Sequence, residues 1–233
     1  MTIAPRTPDA ELGIDLAKLD GAVALANLGR GTQLYAPGDP SDRLFLLARG
    51  RVKISVSGPG GKNCLFHIVE PGELFGEAAL LGEKHRNASA EVLDPVSVTM
   101  APAKSVLAWA KRHPEFWLSF APLLQKRMRN LEEQLQWVSF LEVEQRIARL
   151  FLRWASADGV EIELSQKDLA GLVGATRETT SSALNRLQRD GCVRIRRRRV
   201  EIASIEKLQG HVGNLTGESD GAPALVRVHH AGD

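Results

Sequence analysis

A glycine followed by a carboxylate, with a guanidinium nine residues on and a hydroxyl three beyond that, can hold a phosphate and its sugar. The pattern stands at Gly76-Glu77-Ala78 and Arg86-Asn87-Ala88-Ser89. Arg86 can grip two phosphate oxygens through its planar fork, and the Glu77 carboxylate can accept from a sugar hydroxyl. Ser89 and the backbone around Ala88 can donate to the same phosphate. The Gly-Glu step opens a short run of Ala and Leu whose first backbone N–H groups are free. The same spacing also suits a plain ion pair between Glu77 and Arg86 on a loop, and both readings stay open on these residues.

A second constellation reads nucleic acid. Ser165 caps a short helix with Asp168 three residues on, Leu169, Leu172 and Val173 are apolar, and Gly174 turns the chain into Thr176. The next helix, 177 to 189, buries Ala183, Leu184 and Leu187 and turns Arg177, Glu178, Ser181, Ser182, Asn185 and Arg186 outward. This is a helix-turn-helix, and short side chains between long ones let its second helix lie deep in a major groove. The DNA-facing set is Ser165, Gln166, Thr176, Arg177, Glu178, Ser181, Ser182 and Arg186, with Arg197 from the basic run 196 to 199. That run sits between two strands as a wing for phosphates.

The elements that must position these groups follow from periodicity. From Leu25 the chain is cut into short apolar or alternating segments: 32 to 35, 44 to 48, 52 to 56, 65 to 69 and 90 to 100. Turns at 37 to 39, Gly50, 58 to 61 and 71 to 72 separate them. The spacing predicts a small antiparallel barrel or roll. Residues 114 to 140 read as one helix with apolar positions at Trp117, Phe120, Leu124, Met128, Leu131, Leu135 and Val138, a narrow stripe with wet faces on either side. Such a stripe suits either a helix packed against its own domain or a coiled-coil seam; the seam is the reading taken, so a parallel homodimer is expected, with Leu124, Met128, Leu131, Leu135 and Val138 across the axis.

The 233 residues, 43% of them apolar, suffice for two domains. Net charge is +2, but residues 143 to 210 carry 13 Lys and Arg against 9 Asp and Glu, which directs a polyanion to that half. No apolar run approaches a membrane span and the start is unlike a signal peptide, so a cytoplasmic protein without a membrane partner is expected. Cys64 and Cys192 stand far apart, without ligand spacing, and read as buried small hydrophobes; no metal site is expected.

The ordered motifs LYAPGDPSDRLFLLARGRVKI, PGELFGEAALL and RNASAEVLD are similar to the cyclic-nucleotide-binding roll of the CRP/FNR family of bacterial transcription regulators. The resemblance runs from about Leu25 to about Ile205. It implies that Gly76, Glu77, Arg86 and Ser89 stand at a phosphate-binding cassette, and that a cyclic nucleotide such as cAMP or cGMP is the effector. Where the family's cAMP-binding activator places a Thr-Ser pair at the purine, this chain has Leu131 and Glu132. With Leu131 assigned to the seam, Glu132 is left to face a base, or to serve as a solvated helix residue or an ion-pair partner of Arg129 or Arg127. Residues 139 to 142 resemble the family's hinge. Arg177 and Glu178 match the positions that contact a guanine and a cytosine, while Ser182 replaces an arginine. The FNR branch is excluded, because residues 1 to 30 hold no cysteine.

The expected fold is α+β, with an amino-terminal antiparallel β-roll, a long dimerisation helix and a carboxyl-terminal winged helix-turn-helix. The divisions are an arm (1–20), a roll sensor (21–112), the helix and hinge (113–142), the DNA-binding domain (143–210) and a tail (211–233). The function expected is effector-controlled regulation of transcription by a homodimer on an inverted repeat of double-stranded DNA. The alternatives are a ligand-independent regulator of the same type and the regulatory subunit of an enzyme; catalysis is not expected. RNA polymerase is a further candidate partner. The segment between Ala155 and Leu164 is short compared with the activator's polymerase-contacting loop, which leaves repression by occupancy open.

Overall fold

The computed structural model describes residues 13–59, 63–155, 161–162, 164–196 and 199–212. The order is β1 (Val23–Leu28), β2 (Gln33–Tyr35), β3 (Arg43–Ser57), β4 (Asn63–Val69), β5 (Leu74–Phe75) and β6 (Ser89–Pro102). There follow α1 (Ala103–Ala110), α2 (Glu115–Phe140), α3 (Val143–Trp154), β7 (Glu161–Ile162), α4 (Gln166–Val173), α5 (Arg177–Arg189), β8 (Val193–Arg196), β9 (Arg199–Ile202) and α6 (Ile205–Gly210). The first six strands form one antiparallel sheet in the order β1-β6-β3-β4, with β2 on β6 and β5 on β3. The wing is an antiparallel β7-β9-β8 sheet. The α+β architecture is therefore the one the sequence predicts.

β3 explains why the roll closes. Leu44 to Leu47 are all buried, because alternate side chains enter two different cores. Phe45 and Leu47 join Val52, Val69, Phe75, Val92, Val96 and Val98 inside the roll. Leu44 and Leu46 face a second core made with Ile14, Leu16, Leu74, Val106, Phe116 and Phe120. The two strands expected on either side of Gly50 are one continuous strand. Gly50 sits at φ 82°, where a Cβ would meet the Pro95 carbonyl oxygen at 2.4 Å, so it bends the strand within the sheet.

Several expectations need correction. The arm ends in a turn of 3-10 helix, Leu16–Lys18, and Ile14 and Leu16 are buried in the sensor's core, so residues 14 to 19 belong to that domain. Phe120 is core rather than seam, and Leu124 packs half-buried against the same cluster; full burial of a Phe stabilises by about 1.5–3 kcal/mol. Met128, Leu131, Leu135 and Val138 do stay exposed, Met128 at 57% and Leu135 at 67%. Cys64 is exposed, whereas Cys192 is buried. His211, assigned to the tail, has its Nδ1 2.8 Å from a Glu144 carboxylate oxygen and its Nε2 3.4 Å from Asp190, so it packs with the reader. The rest of the tail, Arg197 in the wing and most of the loop before Leu164 lie outside the described residues.

Between the halves, Leu141 and Glu142 interrupt the helices. Glu142 and Gln145 form a capping box at the start of α3. Arg146 donates to the carbonyls of Val138, Leu141 and Val173 at 2.9 to 3.0 Å, which stitches the end of α2 to the helix-turn-helix.

Candidate functional site

Gly76 takes φ 78° and starts a turn of 3-10 helix, Glu77–Leu80, a conformation a residue with a Cβ resists. A Cβ there would also crowd Arg86 Nη1 at 3.0 Å and the Arg43 carbonyl at 3.1 Å. Arg86 is 5% exposed. Its guanidinium donates to the Gly76 carbonyl at 3.0 Å and the Arg43 carbonyl at 2.5 Å, and lies 4.4 Å from the Tyr35 ring centroid. Its buried Nε has no hydrogen-bond partner. Burial pushes the Arg86 pKa down, and it pushes the Tyr35 phenol up to about 12. A cation held by two neutral carbonyls and an aromatic face, with one donor unused, is prepared for an anion.

These groups border a cavity of about 400 Å³, lined by Tyr35, Ile54, Phe66, His67, Phe75, Gly76, Glu77, Ala78, Arg86, Asn87, Ala88, Arg127, Asn130 and Leu131. The volume lies within the range usual for small-molecule sites. Six of the eight residues expected at the ligand, Gly76, Glu77, Ala78, Arg86, Asn87 and Ala88, are thus brought together. Ser89 is not: it begins β6 opposite Ser55 and lies 3.5 Å from the Gln33 amide nitrogen, outside the lining. Glu132 is not either; it is exposed and absent from the lining. The helical period explains this, since Arg127, Asn130, Leu131 and Gln134 recur at three- and four-residue steps on the face toward the roll, and Glu132 is turned away from it.

The ion pair of Glu77 is made with Arg127, not Arg86. Arg127 also donates to the Leu74 carbonyl, and Gln134 donates to the Phe66 carbonyl at 3.3 Å, so both polar groups tie α2 to the roll. By period alone Arg127 falls on one of the faces expected to be wet. The available signal was the row of polar residues 127, 130 and 134 beside the apolar stripe, at the period of a second buried face. Leu131 sits where the two faces meet, exposed to one side and lining the cavity on the other.

In the reader, the Ser165 hydroxyl accepts from the Asp168 backbone N–H at 3.0 Å and caps α4 as expected, and the Thr176 hydroxyl accepts from that of Thr179 at 3.2 Å and caps α5. Gly174 closes α4 at φ 63°. Thr180, Ala183, Leu184 and Leu187 bury one face of α5. Arg177, Glu178, Ser182, Asn185 and Arg186 are exposed, whereas Ser181 is half-buried. The Glu178 carboxyl is held below the usual range, first by its own backbone N–H and then by the Thr176 hydroxyl, so it presents an acceptor. Arg186 is paired to Glu144 at 2.5 Å, inside the network with His211. Ser165, Gln166, Lys167, Arg177, Arg196 and Arg199 border a basic cleft of about 590 Å³ between helices and wing. Among the described residues no helix is long and apolar enough to cross a membrane.

Comparison with known proteins agrees with both halves. Residues 25–113 match the family model of the cyclic nucleotide-binding domain, and residues 145–210 that of the Crp-like helix-turn-helix domain. The chain is 29% identical over 201 residues to a CRP-like cAMP-activated global transcriptional regulator of Mycobacterium tuberculosis, covering 83% of this chain and 90% of the relative. It is 32% identical over 181 residues to the cyclic AMP receptor protein of Thermus thermophilus, covering 77% and 84%. A solved CRP-family transcriptional regulator from Thermus thermophilus superposes with a TM-score of 0.70 at 25% identity, over 82% of this chain and 97% of that one. These relatives regulate transcription and are not enzymes. A roll carrying a buried arginine, one long helix and a winged helix-turn-helix thus place the chain in the CRP/FNR family of bacterial transcription regulators.

Proposed function

We propose that the protein is a cytoplasmic homodimeric transcription regulator whose affinity for an inverted repeat of DNA is set by a cyclic nucleotide in the roll cavity. The observation that carries the effector is Arg86: a buried guanidinium with an unpartnered Nε, lining a cavity of nucleotide size. In this reading the cyclic phosphate takes Arg86 and the backbone at Ala78 and Ala88, while Asn130 and Leu131 lie where a base would reach α2. The ribose hydroxyl engages Glu77, which Arg127 holds in place. The exposed row Met128, Leu131, Leu135 and Val138 supplies the dimer seam, and the exposed face of α5 with the basic cleft supplies the DNA surface.

One observation favours a ligand-independent regulator instead, namely that the Glu77 carboxylate already has a partner in Arg127. Calorimetric titration with cAMP, cGMP and cyclic dinucleotides, read beside DNA affinity with and without each, separates the two. The effector reading requires saturable binding and a change in DNA affinity; DNA binding indifferent to all of them selects the alternative.

A further inference from the structure

The wall of the effector cavity is also the seat of the reader. On β3 and β4 the pleat sends Ile54 and His67, which are cross-strand partners, into the cavity. The neighbouring pair, Lys53 and Ile68, faces the other way, toward α4. A register shift after Ile54 lets Phe66 line the cavity while Leu65, opposite Ser55, joins the reader's core. α4 approaches so closely that a Cβ on Gly171 would lie 3.2 Å from the Asn63 carbonyl and 3.3 Å from Leu65 Cβ. At the centre of this contact Lys53 Nζ is 3.0 Å from Asp168 Oδ1 in the first turn of α4, and 3.0 Å from Glu91 Oε1 on β6. The Lys53 and Asp168 side chains are 13% and 10% exposed.

We propose that Lys53 is a positioning residue of the DNA reader, tying the first helix of the helix-turn-helix to the outer face of the strand pair whose inner face lines the cavity. The regulatory meaning of this tie rests on the function proposed above; the tie itself does not. Burial works against charge on Lys53, but the hydrogen bonds it donates to Asp168 and Glu91 outweigh it and hold its pKa above the ordinary value. Without Lys53, the Asp168 carboxylate keeps the Ser165 hydroxyl at 2.5 Å and loses its counter-charge. An unpaired carboxylate so little exposed is strongly unfavourable, and it regains water only if α4 lifts from the sheet. The pair therefore discriminates a docked reader from a released one. Because Ile54 and Lys53 are adjacent on one strand, a displacement of the cavity wall is a displacement of the tie.

The test is amide hydrogen exchange on the full-length protein. Lys53→Met should speed exchange across Gln166–Val173 by about tenfold or more, because local release of α4 becomes cheaper. Adding Asp168→Asn should return it to within about threefold of wild type, since no buried charge is left to seek water. Glu91→Gln alone should leave α4 protected, which separates this role from general weakening of the roll. Unchanged exchange in Lys53→Met, or equal acceleration with and without Asp168→Asn, would overturn the proposal. With cAMP and cGMP as probes and a palindromic site selected by the wild type, the ratio of DNA affinities with and without nucleotide should fall toward one in Lys53→Met. An unaltered ratio in a variant whose α4 is released also counts against it. A wild type answering neither nucleotide refutes the effector reading, while the exchange comparison still decides the tie.

Discussion

At the scale of single residues, Arg86 and Glu73 carry different consequences. Arg86 is already fixed by two carbonyls and the Tyr35 ring, so a phosphate arriving as proposed would meet an ordered cation and cost little side-chain entropy. Arg86→Ala should weaken cyclic-nucleotide binding by about 2 to 4 kcal/mol, measured calorimetrically, and equal binding by both proteins would sink the assignment. Asn130→Ala should change the preference between cAMP and cGMP, whereas Glu132→Gln should not, because only Asn130 lines the cavity. Glu73 sits 2.8 Å from His67 on the cavity wall. Burial works to raise the Glu73 carboxyl, but the His67 hydrogen bond, with help from the Glu70 backbone and Lys126, holds it below its ordinary 4.5. A depressed carboxyl contributes stability that is present above the unfolded value and is lost as pH falls through the folded one. Thermal melts should therefore show Glu73→Gln less stable than wild type at pH 7, with the difference closing below the carboxylate range. A difference constant across that range would refute the pairing.

At the scale of elements, α2 serves three neighbours with three faces. Phe116 and Phe120 enter the sensor's core, Arg127 and Gln134 bond to roll carbonyls, and Trp137 enters the reader's core, where Arg153 lies 5.3 Å from its ring centroid. Exposed apolar residues remain at Trp117, Leu118 and Phe140 near the ends of α2 and in the row 128, 131, 135 and 138 between. Leu135→Glu is the cleanest probe of that row, since Leu131 also lines the cavity and its replacement would confound the two roles. Like charges facing across a twofold axis should raise the dimer dissociation constant by about tenfold or more. DNA affinity should fall with it, because two half-sites are gripped together. Sedimentation decides the matter: a variant that stays dimeric excludes a parallel seam at this position.

At the scale of the whole molecule, the reader is docked on the sensor with the α5 face uncovered. Arg177 and Glu178 project from the first turn of α5, and Ser182 is too short to reach as far as an arginine would. A target of two half-sites about 10 bp apart is expected, each reading a G·C step through Arg177 and Glu178. Arg177→Ala should relax the preference at one base pair by about 1–3 kcal/mol, and site selection from a random library should show it. A consensus that is not palindromic, or one unchanged by this substitution, would defeat the reading.

The sequence by itself determined whatever depends on local period and local chemistry. Glycines that need positive φ at Gly76 and Gly174, caps at Ser165 and Thr176, and the apolar face of α5 all follow from neighbours within one turn of the chain. The cavity-lining residues between Gly76 and Ala88 were legible as one group for the same reason, standing close together along the chain. Only the tertiary structure decided what crosses between elements. Phe120 and Leu135 share one helical stripe, and nothing local tells that the first meets its own domain while the second meets solvent. Glu77 finds Arg127 fifty positions away, and Lys53 finds Asp168 across more than a hundred. Such pairings are set by how the roll, the helix and the reader are stacked, because burial and opposite charge select a partner by distance in space rather than along the chain.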